Sequence, residues 1–178
     1  MNYLIIGNII AFLGSILLVL NGLFKEKKQI IISQSIMAFT LAIANIFLKG
    51  YSAVIADMLQ VIRNIISLKW PFKLPLKIGF IVILSAITIV TNTESWLGYL
   101  PLLATIIFTI ILDTEKEEVL KIAIIISEFL WLTYDLFHKN YVGSSFDTLT
   151  ILTNLYTLFA LIQNKKNPEP EQSSDIKQ

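Results

Sequence analysis

The sequence predicts an all-α integral membrane protein with seven transmembrane helices, arranged as two parallel three-helix repeats joined by one linker helix. Hydrophobic residues make up 55% of the 178-residue chain and charged residues 15%, well below the roughly 25% charge of soluble domains. Mean hydropathy is +0.71. Seven apolar windows, each near the ~20 residues that a spanning helix needs, are separated by short polar connectors. A long segment of the chain also repeats itself without a gap.

The seven windows are justified in order by their apolar length and by the polar residues that interrupt them. Lys25 to Lys28 separates the first two, and Lys49-Gly50 separates the second and third. One helix over 29–69 would be about 60 Å long, twice the hydrocarbon thickness, so Lys49-Gly50 is predicted to be a turn. Pro71 and Pro75 interrupt the chain before the fourth window. The windows are 3–24, 29–48, 51–69, 76–92, 96–112, 119–138 and 141–163.

Residues 2–74 recur at 92–164 with a constant offset of 90 residues. Asp57 returns as Asp147 and Asn64 as Asn154. A parallel repeat separated by one extra helix is typical of transporters, because a site forms at the axis between the halves. The predicted parts are a first repeat, a linker helix, a second repeat and a disordered cytoplasmic tail, over 1–74, 75–92, 93–164 and 165–178.

The distribution of Lys and Arg predicts the orientation of the chain. With the N-terminus outside, eleven of the fourteen basic residues fall in the inner connectors and the tail. Two, Lys49 and Lys139, fall in the outer connectors, and Arg63 lies inside the third helix. An N-outside, C-inside topology is therefore expected.

Matched polar faces on the third and seventh helices are the first candidates for a binding site. Their residues share the offsets i, i+3 and i+7 and so lie on one face of each helix. Two such faces across the repeat axis would line a cavity, and the alternative is structural hydrogen bonding between helices. The candidate substrate-binding residues on these faces are Asp57, Gln60, Asn64, Asp147, Thr150 and Asn154.

The sixth helix adds Glu128 and Asp135, which are seven residues apart on one face, with Trp131 between them. An ionisable group within the bilayer is costly and marks a functional candidate, so both acids are predicted to handle a proton or cation. Arg63 either pairs with Glu128 or extends its charge to the membrane surface, and the second alternative is favoured slightly. Trp131 either stacks on a substrate ring or packs between helices.

Several other features bound the function. Pro101 would kink the fifth helix and act as a hinge, unless it is a tolerated proline near the helix end. The chain has no Cys and one His, and it carries no phosphate-binding loop, nucleotide fingerprint, catalytic triad or metal-ligand spacing. No enzymatic activity, cofactor, metal site or nucleic-acid partner is expected.

The order and spacing of several short motifs resemble the SWEET sugar transporters and the related PnuC vitamin transporters, and are most similar to the YgjV-type bacterial inner-membrane proteins. These motifs lie at 7–14, 50–52, 61–64, 131–135 and 141–143. The resemblance implies a multi-pass protein of the bacterial inner membrane. It also implies that Asn64 and Asn154 face the substrate, with Trp131 and Leu41 as a second pair. A hinge proline in each half is part of that pattern; here Pro101 is present and Ala11 takes the first-repeat position.

The predicted function is a small transporter or facilitator for a small polar solute, such as a sugar, a nucleoside or a vitamin-like molecule. It would work by alternating access between the two three-helix bundles. The alternative is a membrane scaffold, interaction or sensor protein on the same fold. The expected partners are the solute and the lipid bilayer, and the sequence leaves a homo-oligomer open.

Overall fold

The computed structural model describes residues 2–21, 27–70, 72–111, 114 and 116–166. All regular structure in these ranges is helical, in seven α-helices and one 3-10 turn, Ser95–Gly98. The α-helices are α1 Tyr3–Asn21, α2 Lys27–Leu48, α3 Tyr51–Lys69, α4 Leu74–Thr91, α5 Tyr99–Ile111, α6 Glu117–Phe137 and α7 Tyr141–Lys166.

Each predicted window overlaps one of these helices, and the differences are confined to the ends. The fifth window begins in the 3-10 turn, so α5 starts three residues later than predicted. Helix α7 continues to Lys166, two residues into the segment assigned to the disordered tail. The rest of that tail, 167–178, and the connector residues 22–26 lie outside the described residues.

The turns after α2 and α6 have the same backbone geometry. Lys49 and Lys139 both take the left-handed conformation, with φ of 62° and 58°. In each turn the next N–H bonds back to the carbonyl five residues earlier, from Gly50 to Asn45 and from Asn140 to Asp135, both at 2.9 Å. This closes the last helical turn in the manner usually associated with a left-handed Gly. The 90-residue offset therefore holds for backbone geometry as well as for residue type at these turns.

Six helices pack in a ring in the order α1, α2, α3, α5, α6, α7 and back to α1. The fourth helix lies beside the ring and packs on α3 and α5. Pro75 is in the first turn of α4, where its missing N–H breaks no helical hydrogen bond. The ring encloses a central space, which is where the site described below lies.

The surface of the helices is apolar and the interior is rich in polar groups. Val90, Tyr156 and Phe159 are among the most exposed side chains, whereas Asp57, Arg63 and Asp135 are buried. This is the reverse of a soluble domain and suits a lipid environment, where exposed apolar groups carry no penalty.

Within the part of the chain that the structure describes, four helices are long and apolar enough to cross a membrane, at Ile31–Leu48, Tyr51–Lys69, Leu74–Thr91 and Tyr141–Gln163. Two further apolar segments, Tyr3–Leu17 and Ser95–Ile111, are shorter. Helix α6 has the length of a span but carries Lys121, Glu128 and Asp135.

Candidate functional site

A cavity of about 140 Å³ lies inside the ring of helices. All six ring helices contribute to it, and α4 contributes none of the described lining residues. The lining combines acids, amides and hydroxyls with a few aromatic and aliphatic side chains. It is formed by Ser15, Gln34, Met37, Leu41, Asn45, Asp57, Gln60, Ala104, Thr105, Phe108, Ser127, Glu128, Trp131, Asp135, Asn140, Gly143, Phe146 and Asp147.

Six of the predicted site residues meet at this cavity. They come from α3, α6 and α7 and include all four predicted acids. They are Asp57, Gln60, Glu128, Trp131, Asp135 and Asp147. Leu41, the residue paired with Trp131 by resemblance, lines it as well.

The other predicted site residues lie outside the lining. Asn154 is buried and donates from Nδ2 to the Thr150 carbonyl at 2.8 Å. Asn64 is buried and accepts from Arg63 at Oδ1. Pro101 is buried in the first turn of α5, a position at which proline breaks no helical hydrogen bond.

Arg63 fulfils neither expectation drawn from the sequence. Its side chain is 1% exposed, so it does not extend its charge to the membrane surface. Its guanidinium does not pair with Glu128 but donates to the Asn64 Oδ1 at 3.1 Å and to the Thr109 Oγ1 at 3.3 Å, and lies over the Phe108 ring at 5.9 Å. Neutral acceptors within hydrogen-bond reach allow the guanidinium to stay inside the bundle.

The four cavity acids form one electrostatically connected group. Asp135 interacts with both Asp57 and Glu128, and Asp147 interacts with Asp135 and Glu128. The Glu128 and Asp147 carboxyl groups are also neighbours. Like charges brought together in this way repel each other, so the group favours a positive charge among its members.

Two amides hold members of this acidic group in place. Asn45 donates from Nδ2 to the Asp57 Oδ2 at 3.1 Å, and Asn140 donates from Nδ2 to the Asp135 Oδ2 at 2.7 Å. Neither amide was predicted as a site residue. The signal was present, since Asn45 is the repeat counterpart of Asp135, but the hydrogen bonds depend on how the helices pack.

Equivalent positions of the two halves face the same cavity. Ser15 and Thr105 are 90 residues apart and both line it, as do Leu41 and Trp131. Asn45 and Asp135 make a third such pair, and Asp57 and Asp147 a fourth. The cavity is therefore built from matched positions, and of these four pairs only Asp57 and Asp147 carry the same side chain.

A second polar cluster, the Glu94 cluster, lies at the end of the bundle that carries the 49–50 and 139–140 turns. Glu94 Oε1 accepts from the Ser52 N–H at 3.0 Å, and Oε2 accepts from the Tyr134 hydroxyl at 2.7 Å. His138 Nε2 lies 3.4 Å from the same Oε2. Burial raises the pKa of Glu94, but the hydrogen bonds from His138, Tyr134 and Ser52 outweigh it and lower the pKa from 4.5 to about 2.

The Glu94 cluster joins the N-terminal end of α3 to α6, and a matching contact joins α1 to α7. Val142 N–H, the counterpart of Ser52 N–H, donates to Asn8 Oδ1 at 3.1 Å, and Asn8 Nδ2 donates to the Lys139 carbonyl at 3.1 Å. Each of these helix starts is thus capped by a side chain from the other half. Glu94 lies in one of the short polar connectors and was not among the predicted site residues.

An apolar exterior and a polar cavity at the centre of a helical ring define an integral membrane protein. The chain belongs to the Imp-YgjV family of bacterial inner membrane proteins, whose family model matches residues 5–165. This confirms the resemblance to YgjV-type proteins and the inner-membrane location. Neither curated proteins nor solved structures give a match to the chain.

Proposed function

We propose that this protein is a transporter or facilitator for a small polar solute, which binds in the central cavity. Transport proceeds by alternating access between two bundles, α1–α3 and α5–α7, with α4 as the linker. The observation that carries the proposal is the polar cavity lined by all six ring helices. The wider similarity to SWEET and PnuC transporters, which share a plan of two three-helix units and a linker, is part of the same proposal.

The order of packing around the ring supports this arrangement. Under the predicted repeat, α1, α2 and α3 correspond to α5, α6 and α7. Exchanging the two sets turns the contact between α3 and α5 into the contact between α7 and α1, and both contacts are present. The helix pairs within each half correspond in the same way. Two bundles joined along two equivalent seams can rock against each other about a central site.

The state of the polar groups favours binding over a purely structural core. In a scaffold, the inward polar atoms would satisfy one another. In this cavity, Asn45 Oδ1 and Asp147 Oδ2 are buried and have no donor among the described residues. Unsatisfied acceptors around a central cavity are suited to a polar solute or to water.

Cysteine accessibility tests the proposal, because the chain has no native Cys. Ser15→Cys and Thr105→Cys each place one thiol in the cavity wall, from opposite halves. A membrane-impermeant thiol reagent should modify both variants from the periplasmic face in whole cells and from the cytoplasmic face in inverted vesicles. Alternating access predicts reaction from both faces because the cavity opens to each side in turn.

Ser33→Cys is the matched control, since Ser33 is buried in α2 but lies outside the cavity lining. It should stay unreactive from both faces. If folded Ser15→Cys and Thr105→Cys proteins are equally unreactive, the cavity is a closed polar core and the scaffold alternative is correct.

A further inference from the structure

The cavity is strongly acidic and has no basic counterpart. Asp57, Glu128, Asp135 and Asp147 contribute four carboxyl groups, and none of the described lining residues is Lys, Arg or His. The buried basic groups near the ring are engaged elsewhere: Arg63 with Asn64 and Thr109, and Lys77 with the Ile110 carbonyl at 2.7 Å.

The unsatisfied atoms in the lining identify the hydrogen-bonding character of the missing ligand. Asn45 is 3% exposed; its Nδ2 is used by Asp57, while its Oδ1 is buried without a donor. Asp147 Oδ2 is likewise buried without a donor among the described residues. Both atoms are acceptors, so the ligand that satisfies them must bring N–H or O–H donors.

We propose that the solute is a small organic cation with N–H donors, a protonated amine, which binds with its charge against the four carboxyl groups. This inference rests on the proposed function and names its substrate class. A buried carboxylate group needs either protons or a counter-charge. An ammonium group supplies the counter-charge and the missing donors together.

The size and lining of the cavity favour an organic cation over a bare metal ion. A volume of about 140 Å³ is close to the roughly 150 Å³ that accommodates a benzene-sized molecule. Within the described residues, no three acidic or histidine side chains converge as metal ligands. Trp131, Phe108 and Phe146 add aromatic surface, which attracts organic cations through the ring quadrupole.

Three probes of similar size separate charge from shape: n-butylammonium, n-butanol and butyrate. Thermal unfolding of the purified full chain in lipid nanodiscs, at pH 7 and constant ionic strength, is followed as each probe is added. Butylammonium should raise the unfolding temperature with a saturable concentration dependence, because a ligand that binds only the folded state stabilises it. Butanol and butyrate should give no saturable rise.

Variants assign the effect to the cavity. Asp147→Asn should weaken butylammonium binding by about tenfold or more, because it removes a buried counter-charge. The unliganded variant should remain folded, since the substitution also reduces repulsion among the acids. Glu118→Gln makes the same kind of change on α6 outside the lining, and should bind butylammonium as the unmodified protein does.

Equal stabilisation by butanol, stronger stabilisation by butyrate, or full butylammonium binding by Asp147→Asn would each overturn the inference. So would a saturable rise with sodium or potassium chloride alone, which would assign the site to an inorganic cation. Cavity thiols that react from both faces without butylammonium binding would leave transport standing with another substrate. If butylammonium binds in an Asp147-dependent way but the cavity thiols do not react, the cavity is a binding site and the transport proposal is wrong.

Discussion

Replacing Glu94 with Gln removes the charge from the cluster that ties α3 to α6, while keeping the size of the side chain. In the unmodified protein the Glu94 carboxylate accepts from the Ser52 N–H and the Tyr134 hydroxyl and lies beside His138. The amide retains one acceptor oxygen and replaces the other with a donor, so the charge-assisted bonds are lost. The expected result is a folded protein of lower stability.

The magnitude follows from the pKa of Glu94, which falls from 4.5 to about 2 on folding. Fully realised, that difference corresponds to about 3 kcal/mol of folding stability. The cluster lies at the end of the bundle, where water screens part of the charge, so about 1–2 kcal/mol is expected. For a chain of this length this lowers the unfolding temperature by about 3–6 °C.

The pH dependence has a definite sign because the folded-state pKa of Glu94 is the lower one. Above about pH 4.5 the carboxylate is ionised in both states and its stabilisation is complete. Between pH 4.5 and pH 2 the unfolded chain takes up the proton first, so the contribution of Glu94 is lost progressively.

Thermal unfolding of the purified protein and of Glu94→Gln, from pH 7 to pH 2, measures this difference. The difference in stability between the two proteins should be largest near neutral pH and should shrink as the pH falls below 4.5. Thr93→Ala, an exposed neighbour, is the control and should match the unmodified protein within about 0.5 kcal/mol. Equal stability of Glu94→Gln at pH 7, or a gap that persists to pH 2, would refute the reasoning.

Three further predictions concern the same framework. Tyr134→Phe removes the hydroxyl that donates to Glu94 and accepts from the Ala53 N–H. It should lower the stability measured by thermal unfolding by about 1–2 kcal/mol. If the losses from Tyr134→Phe and Glu94→Gln simply add in the double variant, the two side chains do not interact as described. Gly143→Ala places a Cβ against the Asp135 carboxylate and should cost about 1–3 kcal/mol, whereas Gly79→Ala, with open space around it, should not destabilise. Thr93→Cys should be labelled from outside intact cells and Lys73→Cys only after permeabilisation; the opposite pattern would reverse the predicted orientation.

The helices were largely predictable because apolar length and polar connectors are local properties of the chain. All seven windows overlap a helix, and the α2–α3 turn at Lys49 follows from a simple limit on helix length. The extension of α7 to Lys166 was missed because its last residues are charged and were assigned to the tail. The repeat boundaries and the membrane orientation remain predictions.

The cavity was predictable in part, since charge within an apolar helix is visible in sequence. Asp57, Glu128, Asp135 and Asp147 were identified on that ground and meet in one cavity. The burial of each polar side chain and its hydrogen-bond partners were not predictable, because they depend on how distant helices pack. Arg63 is the clearest case: its neutral partner Thr109 lies 46 residues away, on a helix of the other half.

The central claim is that two bundles move against each other around the cavity, and spin-label distances test it most directly. Tyr51→Cys with Tyr141→Cys marks equivalent exposed positions at one end of the bundle, and Leu68→Cys with Leu158→Cys marks the opposite ends of the same two helices. In nanodiscs, alternating access predicts two distance populations for each pair, and butylammonium should shift the two pairs in opposite senses. A single narrow distance for both pairs, unchanged by butylammonium, would contradict the account.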